Sequence, residues 1–443
     1  MHQRRYVERI IDLMDPGKNV LLNISYAEAA EHVASGNAEN VGEIEGQFAI
    51  VQKRGNIVWM ARSIGRPMRY FLAKRAEGPC LFVAERMDQL LAALAAEGLE
   101  DQFQPSYTRM VPAHYVVQIA LVGCPDPNPV NTRFFTPKRN VLGTDLDEIG
   151  RLYIGKLAEE MAKWLDTADE SAPLGVLFSG GIDSGAILIV LRYLLLQRGQ
   201  APTRLKAFTL NVAETAADAN QAKQFVSETD MSMFLEVIDV GREEIDFKET
   251  IKVIEDYKPL DVQSATMAYA LLRKIRALYP NWLYLVDGDG GDENLKDYPI
   301  QDNPELTIAS VLNNLMLYQE GWGVESIKHS LTYSGGQSRG HVRSYAPAAI
   351  LGFQGFSPFA LPSVINVAEG IPFIELTDWD HEKLYELKGE VVRRGIKAIT
   401  GVTMPVFEKR RFQHGAASMD IFWNTFPNSN QEYRNVFSQV FGY

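Results

Sequence analysis

Residues 175–196 constrain the chain more than any other stretch. Gly175 to Phe178 is a short apolar run with strand character. Gly180 and Gly181 then break it, and glycine allows dihedrals and close ligand approach that other residues forbid. From Ala186 to Leu196 the sequence is apolar nearly all round, the pattern of a helix buried on every side. The N–H groups at such a helix start, with Ser179 and Ser184 beside them, form a site for an anion such as phosphate. Asp183 would repel that anion unless a metal ion lay between them, so it reads as a Mg²⁺ ligand. A plain strand–turn–helix with a Gly-Gly bend is the alternative.

The whole chain is long enough for two or three domains, with 443 residues, 46% hydrophobic and 23% charged. A net charge of −12 without a Lys/Arg block argues against a large nucleic-acid footprint. Cys80 and Cys124 stand in unrelated contexts, which excludes a disulfide framework and a thiol metal cluster. Met1-His2-Gln3-Arg4-Arg5 leads into a mixed polar segment rather than a signal peptide, and no apolar run has the length of a membrane span. The expected compartment is the cytoplasm, with no membrane partner.

The first 140 residues read as a β-rich layer with few helices. Residues 1–35 are mixed. Phe48–Val51 and Ile57–Ala61 flank a hairpin turn, Tyr70–Ala73 and Cys80–Ala84 form a second pair, Met87–Leu94 is helical, and Val116–Leu121 and Arg133–Phe135 add strands. Asn140–Gly143 punctuates the chain. Thr144 to Asp147 looks like a capping box for a helix carrying the stripe Leu146, Ile149, Tyr153, Leu157, Met161 and Trp164. After residue 196, strands at 205–210, 234–240 and 283–286 alternate with helices at 217–229, 243–257 and 263–278, and the remainder is mainly helical. Such alternation argues a parallel, doubly wound sheet with ligands at its carboxyl ends.

A second constellation, Asp287-Gly288-Asp289-Gly290-Gly291-Asp292-Glu293, follows the last of these strands directly. It lacks the longer ligand ladder of an EF-hand. An acidic surface turn is the bland reading. At a strand's carboxyl end the loop could instead set a carboxylate opposite Asp183, the two holding Mg²⁺ on a departing pyrophosphate.

Ser179-Gly180-Gly181-Ile182-Asp183-Ser184 resembles the pyrophosphate loop of the N-type ATP pyrophosphatases, and differs from the Gly-x-x-x-x-Gly-Lys loop of kinases and GTPases. In the N-terminal part, Gly46-Gln47-Phe48-Ala49, Ala61-Arg62-Ser63-Ile64-Gly65-Arg66-Pro67 and Val83-Ala84-Glu85-Arg86 resemble the amidotransferase half of asparagine synthetases. Met110–His114 and Phe134–Pro137 resemble its pre-linker segment. The resemblance implies an Ntn-hydrolase-like, β-rich domain at 1–140. It also implies a doubly wound, parallel-sheet ATP-pyrophosphatase domain with a helical C-terminal part at 144–443. The family's glutaminase uses a cysteine as its mature N-terminal residue. Here neither cysteine lies near the start and the early strands look shortened. Residues 1–140 are therefore expected to act as scaffold, lid or dimer surface, without glutamine hydrolysis.

The same resemblance implies ATP and pyrophosphate contacts at Ser179, Gly180, Gly181, Asp183, Ser184, Leu210 and Gly288, and a metal pair of Asp183 and Asp292. Asp289 falls where asparagine synthetases usually have a glutamate near the attacking amine, and where β-lactam and carbapenam synthetases usually have tyrosine. Lys409 matches a late lysine that contacts the α-phosphate and pyrophosphate, with Arg410 and Arg411 as substitutes. Gln354 and Phe356 stand where the family usually has Glu and Arg, which suggests a less polar acceptor pocket, unless Phe356 and Phe359 only pack the core.

The expected activity is an AMP- and pyrophosphate-forming ligase that uses ATP and Mg²⁺ to join a small-molecule or peptide carboxylate to an amine or ammonia. A tRNA-modifying enzyme with the same loop and a non-catalytic assembly protein are the alternatives.

Overall fold

The period-two alternation of residues 49–62 has a direct spatial meaning. A computed structural model describes residues 9–76, 78–121, 128–212, 217–298, 300–301, 306–315, 341–407, 422 and 424–442. Among the described residues, ten strands lie in the N-terminal part: β1 (Ile10–Asp12), β2 (Val20–Leu21), β3 (Gly46–Gln47), β4 (Ala49–Arg54), β5 (Ile57–Arg62), β6 (Arg69–Arg75), β7 (Gly78–Ala84), β8 (Arg109–Met110), β9 (Tyr115–Ala120) and β10 (Val130–Arg133). They form sheets of order β1-β7-β6-β8 and β10-β9-β5-β4, with β2 and β3 paired separately. Val51, Val58, Met60 and Val117 of one sheet meet Tyr70, Leu81 and Val83 of the other. The intervening residues point outward, as successive side chains on a strand must. Ile50, Ala61 and Val116 are covered by Ala29 and Val33 of the helix Tyr26–Ala34. Phe71, Cys80 and Phe82 are covered by Leu90 and Leu94 of the helix Met87–Ala96. The result is a helix–sheet–sheet–helix sandwich.

Three local expectations need correction. The mixed stretch 1–35 contains the helix Tyr26–Ala34, started by a capping box between Ser25 and Glu28. The strand expected at 133–135 stops at Arg133, because Phe134 turns in to stack on Phe48 at 6.0 Å. The helix Leu146–Thr167 is capped by Asp145, whose carboxylate accepts from the N–H of Asp147 at 2.9 Å, and not by Thr144.

The sheet of the C-terminal half is wholly parallel: β11 (Leu174–Leu177), β12 (Leu205–Val212), β13 (Leu235–Val240), β14 (Tyr284–Val286) and β15 (Gln354–Phe356), in the order β13-β12-β11-β14-β15. The chain winds one way from β11 to β13 and the other way through β14 and β15. The loops that leave β11 and β14 therefore face each other at the switch point, where such sheets bind ligands. The eight consecutive residues Ser184–Leu191 of the helix Ile182–Gln197 are buried, so more than two turns have no solvent face.

The edge strand β15 falls in a segment read above as close to the acceptor. Phe356 is fully buried and lies flat on Trp164, with centroids 4.9 Å apart and planes 6° apart. Phe359 stacks on Tyr153. Both are core residues, and the expectation that Phe356 reshapes a substrate pocket is replaced by packing.

The helix His381–Thr400 crosses Leu146–Thr167 at Gly150 and Gly395. A Cβ on Gly395 would come within 2.2 Å of the Gly150 carbonyl oxygen, so only glycine permits this approach.

A buried ionic contact ties the sandwich to the second half. Arg69 of β6 donates from Nε to Glu255 Oε2 at 3.1 Å, and Glu255 Oε1 accepts from the N–H of Met87 at 2.6 Å. Arg86 donates to the Val253 carbonyl at 2.6 Å. Burial pushes Glu255 up and Arg69 down, and mutual attraction offsets this only in part. Such a pair contributes little net stability, but removing one partner strands a buried charge. Glu255→Gln is expected to lower the unfolding free energy by about 3 kcal/mol, read from urea denaturation.

Candidate functional site

Two loops build the site. The first leaves β11 and enters the helix Ile182–Gln197. Gly180 has φ +75°, and a Cβ there would meet the Ala222 N–H nitrogen at 2.8 Å. The left-handed turn and the contact with the helix Ala217–Glu228 both require glycine. The serines brace the loop internally. The N–H of Ser179 donates to Ser184 Oγ at 3.3 Å, the two hydroxyls lie 3.2 Å apart, and Gly181 N–H donates to Ser179 Oγ at 3.3 Å. Gly181 is the N-cap, and no side chain caps the first turn. Its amides are thus available to an anion.

The second loop leaves β14 and enters the short helix Gly291–Asn294. It packs directly on the first. A Cβ on Gly288 would lie 2.9 Å from Ser184 N, and one on Gly291 would lie 2.2 Å from Asp183 Oδ1. Ser179, Gly180, Gly181, Asp183, Ser184, Gly288 and Asp292 are therefore brought together as expected from the sequence. Leu210 lies apart from them in character. Its side chain is buried in the core on β12, so contact with a nucleotide would fall to its main chain. Lys409, Arg410 and Arg411 lie outside the described residues.

Asp183 and Asp292 do converge, and the group between them is a lysine. Lys388 Nζ, from the helix His381–Thr400, lies 2.6 Å from Asp183 Oδ2, bonds to Asp292, and lies 3.4 Å from Asp297 Oδ2. Lys388 is 2% exposed. Burial alone would push its ammonium down. The attraction of Asp183, then of Asp292 and Asp297, outweighs that and holds it well above the ordinary lysine value. Among the described residues no group of three or more His, Cys, Asp or Glu side chains is spaced to bind a metal ion directly. The donor chemistry nevertheless fits Mg²⁺, since all three acids offer hard oxygen ligands toward one point.

A second group of acids lies on the other side of the acidic loop. Asp287 Oδ2 accepts from Ser357 Oγ at 3.0 Å, and its Oδ1 accepts from the N–H of Asp289 at 3.0 Å. Burial pushes Asp287 up to about 7. Burial, reinforced by the Asp287 charge, raises Asp289 well above the carboxylate range, against a smaller opposing pull from Ser344 and Arg343. Arg343 Nε donates to Asp261 Oδ1 at 3.2 Å, and its charge also acts on Glu293 and Asp289.

Sequence reasoning missed Lys388, Asp297 and Arg343. For Lys388 a signal exists. It lies on the buried stripe of its helix with Leu384, Leu387, Val391 and Val392, where a lysine has no place unless it is paired. Asp297 and Arg343 carry no comparable mark, because their partners come from distant segments.

Residues 165–342 match the family model described as asparagine synthase. No curated protein matches the chain. The matched span contains both loops and all the acids named above, and it ends before Lys388. Over residues 165–342, less than half of the chain, the protein is similar to asparagine synthases, and that span carries the parallel strands β11 to β14.

Between about pH 4 and pH 7 the unfolded chain ionises Asp287 while the folded chain keeps its proton. The unfolded state then binds fewer protons, so this group makes stability fall as pH rises, by at most about 1.4 kcal/mol per pH unit. Asp287→Asn keeps the acceptor for the Asp289 N–H and is expected to flatten that slope, measured as urea midpoints against pH.

Proposed function

We propose that the protein is an ATP-dependent ligase that adenylates a substrate carboxylate and passes the acyl group to an amine or ammonia. The observation that carries this reading is the meeting of an uncapped helix start with Asp183 and Asp292 at the carboxyl ends of β11 and β14. An anion-binding turn and a pair of hard-oxygen ligands, packed into contact, suit a nucleotide whose pyrophosphate must be held and released.

In the first step a carboxylate oxygen forms a bond to the α-phosphorus, and the bond from that phosphorus to the bridging oxygen of pyrophosphate breaks. The products are an acyl-adenylate and pyrophosphate. The amides and hydroxyls of Ser179 to Ser184 hold the departing pyrophosphate. Mg²⁺, held by Asp183 and Asp292, would supply charge neutralisation and Lewis acidity there. Lys409 is proposed as the late cation on the α-phosphate and pyrophosphate, a role in which a preorganised charge acts mainly on the transition state.

In the second step an amine nitrogen attacks the acyl carbon, AMP leaves, and the nitrogen gives up a proton. Asp289 is proposed to accept it, with Asp287 behind it. Burial raises both acids, and a raised acid, once ionised, is the stronger proton acceptor. The acyl-transfer step is expected to weaken as pH falls, because protonation of Asp289, which burial favours, removes the proton acceptor.

We propose that glutamine is not the nitrogen source. Among the described residues the free cysteine is Cys80, buried under the helix Met87–Ala96, and burial pushes its thiol up, away from the reactive thiolate. Ammonia, a separate amine or an amine on the same molecule then remains. Residues 1–140 serve in this reading as scaffold, lid or dimer surface.

The decisive experiment supplies Mg·ATP and a small-molecule extract of the host and separates AMP from ADP. AMP is expected from the wild type, with a loss on the order of 100-fold or more in Asp183→Ala. ADP as product would sink the ligase reading. Salt-sensitive RNA binding with RNA-dependent AMP release would favour a tRNA-modifying enzyme. With glutamine added, no glutamate release is expected, whereas ammonium or an amine should support turnover.

A further inference from the structure

The acids that suit Mg²⁺ already hold a cation. Asp183 comes from the first turn of the helix Ile182–Gln197, Asp292 from the short helix Gly291–Asn294, and Asp297 from the turn after it. All three aim at Lys388 Nζ, which lies 2.6 Å from Asp183 and 3.4 Å from Asp297. These are ammonium–carboxylate distances. Magnesium demands oxygen ligands at about 2.1 Å in near-octahedral order. Among the described residues no group of three acids is spaced to bind a metal ion directly. Lys388 is not a mobile surface charge. It is buried, and its helix is pressed onto Leu146–Thr167 at the Gly150–Gly395 contact, so its stem has a fixed origin.

We propose that Lys388 is a resident counter-cation that closes the Asp183–Asp292 site to free divalent metal, so that the metal enters only together with the nucleotide phosphates. This rests on reading the 179–184 loop as the ATP site. The three carboxylates bring negative charge to bear on Lys388. A free divalent ion gains from that charge only by displacing the ammonium. A nucleotide changes the balance, because its phosphates give the displaced ammonium a new anionic partner beside the old one. Lys388 then moves from carboxylate to phosphate oxygen over a short distance, and the acids close on the metal. No covalent bond changes in this exchange.

The test needs no substrate. Mn²⁺ is titrated into nucleotide-free protein, and free ion is read by electron paramagnetic resonance. The wild type is expected to bind Mn²⁺ no tighter than about 1 mM at this site, whereas Lys388→Met and Lys388→Gln should bind at least tenfold tighter, and Lys388→Arg should follow the wild type. Adding Asp292→Asn to Lys388→Met should remove the gained affinity, which assigns it to this cluster. Micromolar binding by the nucleotide-free wild type, or no gain in either neutral variant that is folded by circular dichroism, would overturn the proposal. If both neutral variants fail to fold, the wild-type titration decides alone: weak binding supports the proposal and tight binding rejects it. Calorimetry with α,β-methylene-ATP runs in parallel. Failure of that ligand to bind would reject the ATP reading while leaving the nucleotide-free result intact.

Discussion

Three carboxylates held against one buried ammonium is the interaction on which the rest of the structure depends. Lys388 offsets the mutual repulsion of Asp183, Asp292 and Asp297, which all approach its ammonium. Lys388 can reach them only if its helix runs close beneath the loop that follows β11. That closeness requires the bare backbone contact between Gly150 and Gly395. The contact in turn fixes the helix Leu146–Thr167, whose Tyr153 and Trp164 seat Phe359 and Phe356 behind the acidic loop. A local charge requirement thus propagates into the packing of distant helices.

The crevice divides into two chemical environments. Beside the turn at 179–184, charge is kept: carboxylates hold the Lys388 ammonium well above its ordinary value. On the other side of the acidic loop, around Asp287 and Asp289, charge is suppressed by burial. The division suits a reaction with a phosphate half and a proton-transfer half, because each needs an electrostatic setting that would spoil the other. Arg343 stands at the border. It is fixed by Asp261, which also receives Lys258 at 3.1 Å.

Much of this architecture was legible in the residues, for reasons that differ by element. The helix Ile182–Gln197 was visible because an all-round apolar pattern has one physical solution. The strands β4 to β7 were visible because period-two alternation is local. The helix Tyr26–Ala34 escaped because its core-facing residues are small alanines and a single valine, and only its capping box announced it. Strand β15 escaped because a three-residue strand carries no period. The loop carboxylates were readable because glycine spacing and strand position concentrate them. Lys388 was readable in principle, as a charge on an apolar stripe, but its meaning depends on acids from three other segments. Pairings between distant segments are properties of topology, and no window along the chain contains them.

Glu255 has a consequence for the history of such a chain. It lies in the synthetase-like half, yet it ends the helix Phe247–Ile254 and starts the helix Met87–Ala96 of the sandwich, with Arg69 from β6 closing the contact. Once two modules share a buried ion pair and a helix start, neither retains a complete surface without the other. Loss of an ancestral activity from the sandwich would not then free the chain to discard it. Selection would act against each partial deletion, since each intermediate would bare charge and apolar surface together. A module joined in this way is held in place whatever chemistry it carries.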